Sequence, residues 1–272
     1  LQAHGRDDLA ARLLNGWLQR TGDFAMLPAL RFYMVYRALV RALVAALKAR
    51  NTRDQPNGAA AVRPYLQFAM RTIAPRPPCL LLCHGYSGSG KSAASKALAT
   101  LIGAIRLSSD VERKRTHAFA PYQAQPLPAH AYSVQATDRH YAALLILTRQ
   151  VLSAGYPALV DATFLQRAHR ERFVALARSL CVPVLVLDFH ARIRPLIERV
   201  CARAAGPQGA SDAGLTVLIR QLANEEPLTA QEMACTVWLD TEVPLSAYAR
   251  RAYWHALLPR LPDRPGFDPA DC

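Results

Sequence analysis

Eight residues, Gly85-Tyr86-Ser87-Gly88-Ser89-Gly90-Lys91-Ser92, constrain this chain more than any other stretch. They match G-x-x-x-x-G-K-[ST] in full, the pattern of a loop that wraps phosphate oxygens in backbone N–H groups. The flanks fit that use. Cys79-Leu80-Leu81-Leu82-Cys83 is a continuous apolar run, as expected of a strand buried on both faces. Ala93 to Ala99 is rich in good helix formers. Strand, loop and helix together aim a helix N-terminus, with its partial positive charge, at the phosphates. In that arrangement Lys91 reaches the β- and γ-phosphates of ATP, and the Ser92 hydroxyl ligates Mg²⁺. Two other patterns overlap the loop. Gly88 to Ala93 fits the G-x-G-x-x-[GA] dinucleotide fingerprint, with Asp110 near the place of the ribose acid, but such a turn has no use for Lys-Ser. Gly85 to Ser89 misses the hydrolase elbow G-x-S-x-G, because position 89 is not glycine.

Downstream of the loop, strands and helices alternate, which argues for a parallel sheet. Ile105–Leu107, Ala158–Val160, Val182–Phe189 and Cys235–Leu239 read as strands two to five. Helices are expected over 136–152, 166–180, 193–205 and from Ser211 or Asp212 towards Glu226. Gly206 to Gly209 reads as a break. Upstream, residues 1–72 read as helical: one helix from Asp7 or Asp8 through Leu18, a break at Thr21-Gly22-Asp23, a long helix from Ala29 to Arg50, and a short one from Tyr65. The long helix carries Arg37, Arg41 and Lys48 on a narrow stripe and is apolar elsewhere, which predicts that it is mostly buried. Pro75, Pro77 and Pro78 form a stiff linker. The expected organisation is an α/β P-loop NTPase three-layer sandwich with a five-stranded parallel sheet, preceded by an all-helical segment. Its parts are residues 1–72, a P-loop unit over 73–245 and a tail over 246–272, helical at first and then loose.

Phosphoryl transfer needs a metal, neutralised charge and an oriented nucleophile. Asp161 ends an apolar strand, the form of a Walker-B acid that holds Mg²⁺; a turn cap at a strand end has the same form, and Asp188 competes for the role. Asp110 follows the second strand, at the sheet end where open α/β folds bind ligands. Arg113 shares its face if a helix begins there. A carboxylate that takes a hydroxyl proton beside an anion-holding guanidinium describes an acceptor site, and an N-cap before a solvated basic turn describes it equally well. Arg199 and Arg203 share a helical face before the Gly-Pro break. They read either as a lid closing over phosphates or as a solvated face.

The chain of 272 residues carries a net charge of +13, nearly all of it arginine. A basic surface attracts polyanions, and an Arg- and Ala-rich genome produces the same excess. No basic block is interleaved with aromatics for stacking on nucleic acid, so nucleic acid is possible as a partner but not favoured. The six cysteines form no C-x-x-C pair and read as free thiols of a reducing compartment. The histidines lack metal-ligand spacing. No apolar run reaches membrane-spanning length and no signal pattern is present, so a cytoplasmic protein without a membrane partner is expected. The chain starts at Leu1 rather than Met, as a truncated product would.

Two resemblances extend this reading. Residues 79–240 resemble the AAA family ATPase-type P-loop kinases, the group related to polynucleotide 5′-kinases, gluconate and chloramphenicol kinases and zeta-type toxins. The resemblance rests on GYSGSGKS, on LSSDVERKR at 107–115, on LVDATFLQRAHRERF at 159–173, and on Arg199-x-x-x-Arg203 followed by Ser211-Asp212-Ala213. It implies a five-stranded parallel sheet with an arginine-bearing lid, Asp110 as the base and Arg113 as an acceptor anchor. It leaves the hydroxyl acceptor unassigned. Asp8–Leu14 and Leu30–Ala38 resemble the last helices of aminoglycoside-phosphotransferase-like kinases, whose catalytic motifs would lie upstream of Leu1. That implies a remnant without chemistry of its own. The leading expectation is an ATP- and Mg²⁺-dependent kinase acting on a small molecule or a nucleic-acid end. The alternatives are an ATP-sensing module that regulates a fused partner, or an ATPase.

Overall fold

The computed structural model describes residues 1–51, 58–74, 77–117, 127–205 and 214–262. The sheet is built from five parallel strands: β1 (Leu80–His84), β2 (Ile105–Ser108), β3 (Ala158–Asp161), β4 (Val184–His190) and β5 (Thr236–Asp240). Their order is β2-β3-β1-β4-β5. The register sets Leu80 beside both Ala158 and Val184. Side chains alternate across a strand, and this splits β1 cleanly. Leu80 and Leu82 face one buried cluster with Ile105, Leu107 and Val160. Leu81 and Cys83 face the other with Leu159, Leu187 and Val237. A strand buried on both faces needs the unbroken apolar run seen in the sequence.

Helices cover both faces. The Leu81 side packs against α4 (Lys91–Ile102), through Ala94 and Leu98. The Leu80 side packs against α6 (Val134–Ser153) and α7 (Arg167–Ser179), through Tyr141, Leu144 and Phe173. A short helix, α5 (Ser109–Thr116), leaves β2 directly. After β4 come α8 (Ile193–Ala205), α9 (Leu215–Ala223) and α10 (Ala230–Ala234). The break expected at Gly206 to Gly209 and the helix start expected at Ser211 or Asp212 lie outside the described residues. The α10 turn was missed, although Thr229-x-x-Glu232 is a legible capping box and both of its bonds form.

The N-terminal segment is α1 (Asp7–Thr21), α2 (Leu27–Asn51) and α3 (Gly58–Ile73). The long helix is not mostly buried, contrary to its composition. Phe32, Tyr33 and Leu43 are each at least 59 % exposed, and only Leu27, Ala38 and Ala42 of its described residues are buried. Its first turn reaches the sheet core through Leu27 and Leu30, and beyond that it packs chiefly on α3, which cannot cover a helix that is apolar on most sides. The tail is helical at first, as expected, and its residues 263–272 lie outside the described residues. It runs as 3-10 turns at Leu245–Ala249, Arg251–Trp254 and Leu258–Arg260. Trp254 and Leu257 sink into the core, and Arg260 donates to Thr236 O at 2.8 Å along β5. Among the described cysteines all are free, with Cys79 and Cys83 buried and Cys181 and Cys201 exposed. No described helix is long and apolar enough to cross a membrane.

A boundary at the proline linker would leave residues 73–245 folding alone. The packing predicts the opposite. Leu18, Phe24 and Leu27 are fully buried in the same cluster as Leu80 and Ile105. Each such side chain contributes about 1.5–3 kcal/mol, against a total stability of about 5–15 kcal/mol for a domain. We predict that a chain beginning at residue 73 aggregates or melts at least about 10 °C below the full chain. Equal melting temperatures for the two would establish a separable unit.

Candidate active site

The loop between β1 and α4 takes its shape from the glycines. Gly90 caps α4 with φ +85°, a left-handed conformation, and a Cβ there would stand 2.9 Å from the Tyr248 hydroxyl. Only glycine meets both conditions without strain. Lys91 is buried and curls back over the loop, donating to Gly85 O at 2.8 Å, to Tyr86 O and to Ser89 Oγ at 3.2 Å. Gly85 N–H donates to Thr163 O at 3.2 Å, which ties the loop to the segment after β3.

A cleft of about 550 Å³ opens beside this loop. Ser87, Gly88, Gly90, Lys91 and Ser92, from the loop after β1, line it. Asp161 at the end of β3 and Asp110, Arg113, Tyr132 and Tyr141 line it too, and β3 stands between β1 and β2 in the sheet. Arg199, Arg220 and Gln221 line it as well. Thus Lys91, Ser92, Asp110, Arg113, Asp161 and Arg199, far apart in sequence, share one cavity. The Arg203 side chain lies outside the described residues.

Asp161 ends β3 and is buried. Its Oδ2 accepts from the Arg106 guanidinium, which also donates to Ser95 Oγ at 2.8 Å. Asp188, the competing acid, instead stands between two imidazoles, with His84 Nδ1 and His190 Nε2 each 2.6 Å away. It does not line the cleft. Arg113 donates to Ala131 O at 2.8 Å, and its guanidinium stands 5.1 Å from the centre of the Tyr132 ring. That stacking fixes a planar cation at the cleft wall. Arg199 donates to Thr241 O at 2.7 Å and to Gly88 O at 3.3 Å, so it is anchored to the loop rather than solvated.

Burial, helped by the Arg113 charge and by His117, pushes His140 down to about 3. The neutral ring stands 2.9 Å from Ser109 Oγ at the start of α5. Between pH 6.5 and about 3 the unfolded chain binds a proton here that the folded chain does not. Stability present above that window is therefore lost as pH falls through it, by up to about 1.4 kcal/mol per pH unit. We predict that the melting temperature declines on acidification below about pH 6.5, and that His140→Phe makes the decline shallower. An unchanged slope in that variant would assign the decline to other groups.

Several site residues escaped the sequence reading. Gln221 Oε1 accepts from Ser87 N–H at 2.8 Å, and Glu225 takes a hydrogen bond from Tyr86. Burial and that carboxylate together raise the Tyr86 phenol. Arg170 is fully buried. It donates to Phe164 O, Glu226 O and Pro227 O, each at 3.0 Å, and to Glu232 at 2.6 Å. This bundle braces the segment after Asp161, where Phe164 holds a positive φ. Apart from Phe164, these partners lie more than 50 residues apart and leave no periodic signal.

The described fold and loop coincide with a known family. The AAA domain family (AAA_33) matches residues 80–228, more than half of the chain. The chain belongs to that family. α1, α2 and α3 precede the matched region of this AAA domain protein. The uncharacterized protein Rv2004c of Mycobacterium tuberculosis (strain H37Rv) is 29% identical over 213 residues. That alignment takes in 78% of this chain but 42% of the relative, so the chain spans less than half the length of the curated relatives it matches. Among solved structures, Kti12 of Chaetomium thermophilum, in complex with ADP-AlF3, has a TM-score of 0.50 at 17% identity, over 65% of this chain and 98% of that one. A gluconokinase of Sinorhizobium meliloti has a TM-score of 0.46 at 22% identity, over 66% and 93%. At these identities the likeness to Kti12 concerns the fold.

Proposed function

We propose that this AAA domain protein is an ATP- and Mg²⁺-dependent phosphotransferase that moves the γ-phosphate of ATP to a hydroxyl group. The observation that carries the reading is the shared cleft, lined both by the loop after β1 and by Asp110 and Arg113 after β2. A transferring enzyme needs donor and acceptor side by side, shielded from water. An ATP sensor needs only the loop. Lys91 and the loop N–H groups bind and orient the phosphates. Asp110 takes the proton from the acceptor hydroxyl. Arg113 holds a polar or anionic group of the acceptor. Arg199, with Arg203 on the same helix, neutralises charge as it develops.

Ser92 and Asp161 both line the cleft and both offer oxygen, the donor type that Mg²⁺ takes. They fit the ion and would hold it there, Asp161 sharing its charge with Arg106. A bound Mg²⁺ supplies positive charge to the transferring phosphate.

The test is thiophosphate labelling from ATPγS across sugars, nucleosides, amino alcohols and oligonucleotides. Labelled product that requires Lys91 is expected, and its class names the acceptor. Tight ATP binding with neither label transfer nor hydrolysis would favour the sensor instead.

A further inference from the structure

The family match begins at Leu80, yet a helix that precedes it is bonded to the acceptor side of the cleft. Asn15 of α1 donates to Ala104 O at 2.9 Å, and its Oδ1 accepts from Arg106 N–H at 2.7 Å. Those two bonds pair the start of the open edge of β2, one of the two edge strands. β2 runs straight into α5, which carries Asp110 and Arg113. The Arg106 side chain extends the chain of contacts to Asp161.

A second tie lies at the C-terminal end of α1. Arg115 of α5 donates to Gln19 O at 2.6 Å and to Arg20 O at 3.2 Å. These carbonyls close α1, where a helix carries partial negative charge and needs donors. The same guanidinium holds the Glu112 carboxylate at 3.0 Å. Gly22 makes room for it: φ is +71°, and a Cβ would stand 2.8 Å from Arg115 Nε. α5 has only eight residues, too few to hold its place unaided. Arg113 fixes one side of it on Ala131 and Tyr132, and Arg115 fixes the other on α1. Neither Asn15 nor Arg115 lines the cleft.

We propose that α1 is a positioning element of the acceptor site, with Asn15 and Arg115 setting where Asp110 stands during transfer. The role in transfer rests on the reading of Asp110 as the base. It makes the N-terminal helices a route by which events outside the P-loop unit alter phosphate transfer while nucleotide binding stays constant.

The experiment uses the full chain with Arg115→Ala, Arg115→Lys and Gly22→Ala, each alone and combined with Asp110→Asn. Residue-resolved amide exchange reports on α5. Titration with Mg·ATP gives affinity, and slow ATP hydrolysis, with water as acceptor, gives turnover. Arg115→Ala is expected to speed exchange over 109–116 at least about 10-fold, leaving 91–102 and ATP affinity within about twofold. Turnover should fall about 10–100-fold at constant KM for ATP, since a small misplacement of a reacting group has that cost. Added to Asp110→Asn, Arg115→Ala should cost nothing further, because it acts through Asp110. Arg115→Lys keeps one charged donor and should recover part of the loss. Gly22→Ala should reproduce Arg115→Ala with the ion pair's residues intact, and these two milder variants serve if Arg115→Ala does not fold. Wild-type exchange and turnover would overturn the proposal, as would a loss that adds in full to Asp110→Asn or that lowers ATP affinity in step. If Asp110→Asn turns over normally, the base assignment fails, and exchange over 109–116 still upholds or overturns the α1 clamp.

Discussion

Lys91→Ala is expected to lower ATP affinity about 10–100-fold and to cut turnover about 1000-fold or more. The difference between the two losses follows from where the charge develops. In the ground state Lys91 shares the phosphates with the loop amides, so its removal costs one charge-assisted interaction. In the transition state negative charge gathers on the transferring group, and a preorganised cation in a water-poor cleft is worth more. The side chain is tethered to Gly85 O, Tyr86 O and Ser89 Oγ, so it is already oriented at the loop. It lies outside the apolar clusters around the sheet, and the variant should fold. Nucleotide titration and turnover on the same preparation, with a melting curve, check this. Wild-type affinity and turnover in a folded variant would remove the loop from the site.

Asp110→Asn should cut phosphate transfer at least about 100-fold and leave ATP affinity within about twofold. The substitution keeps shape and most hydrogen bonding but removes basicity. A positioned base contributes about 10²–10⁴-fold. In the proposed reading Lys91, Ser92 and the loop amides hold the nucleotide, and they belong to the loop after β1 rather than to α5. Single-turnover transfer, once an acceptor is in hand, isolates the chemical step from product release. Near wild-type transfer would leave Asp110 as the second residue of α5 and nothing more.

Much of this architecture was legible from local pattern. The run Leu80 to Cys83 could only be a strand covered on both faces, and the structure divides it between two clusters. The loop, Asp161 at the end of β3, Asp110 just beyond β2 and the Arg199 position follow from short motifs, because each is set by contiguous backbone. α2 was misread for an equally physical reason: an apolar helix reads as buried whether or not anything covers it. Arg170 to Glu232, Gln221 to Ser87 and Asn15 to the β2 edge were beyond reach. Each joins polar groups whose spacing is set by topology and not by any helical or strand period.

The central claim is that this cleft passes phosphate from ATP to a hydroxyl, and ³¹P NMR tests it most directly. Mg·ATP is incubated with the full chain and the hydroxyl compounds that the labelling screen selects, and every phosphorus is counted. The account predicts that the γ-phosphate signal converts to a phosphate-ester signal in a one-to-one ratio with ADP, and that Lys91→Ala and Asp110→Asn each suppress the conversion. ATP that stays intact while bound, or γ-phosphate that appears only as inorganic phosphate at a rate indifferent to Asp110, would contradict it.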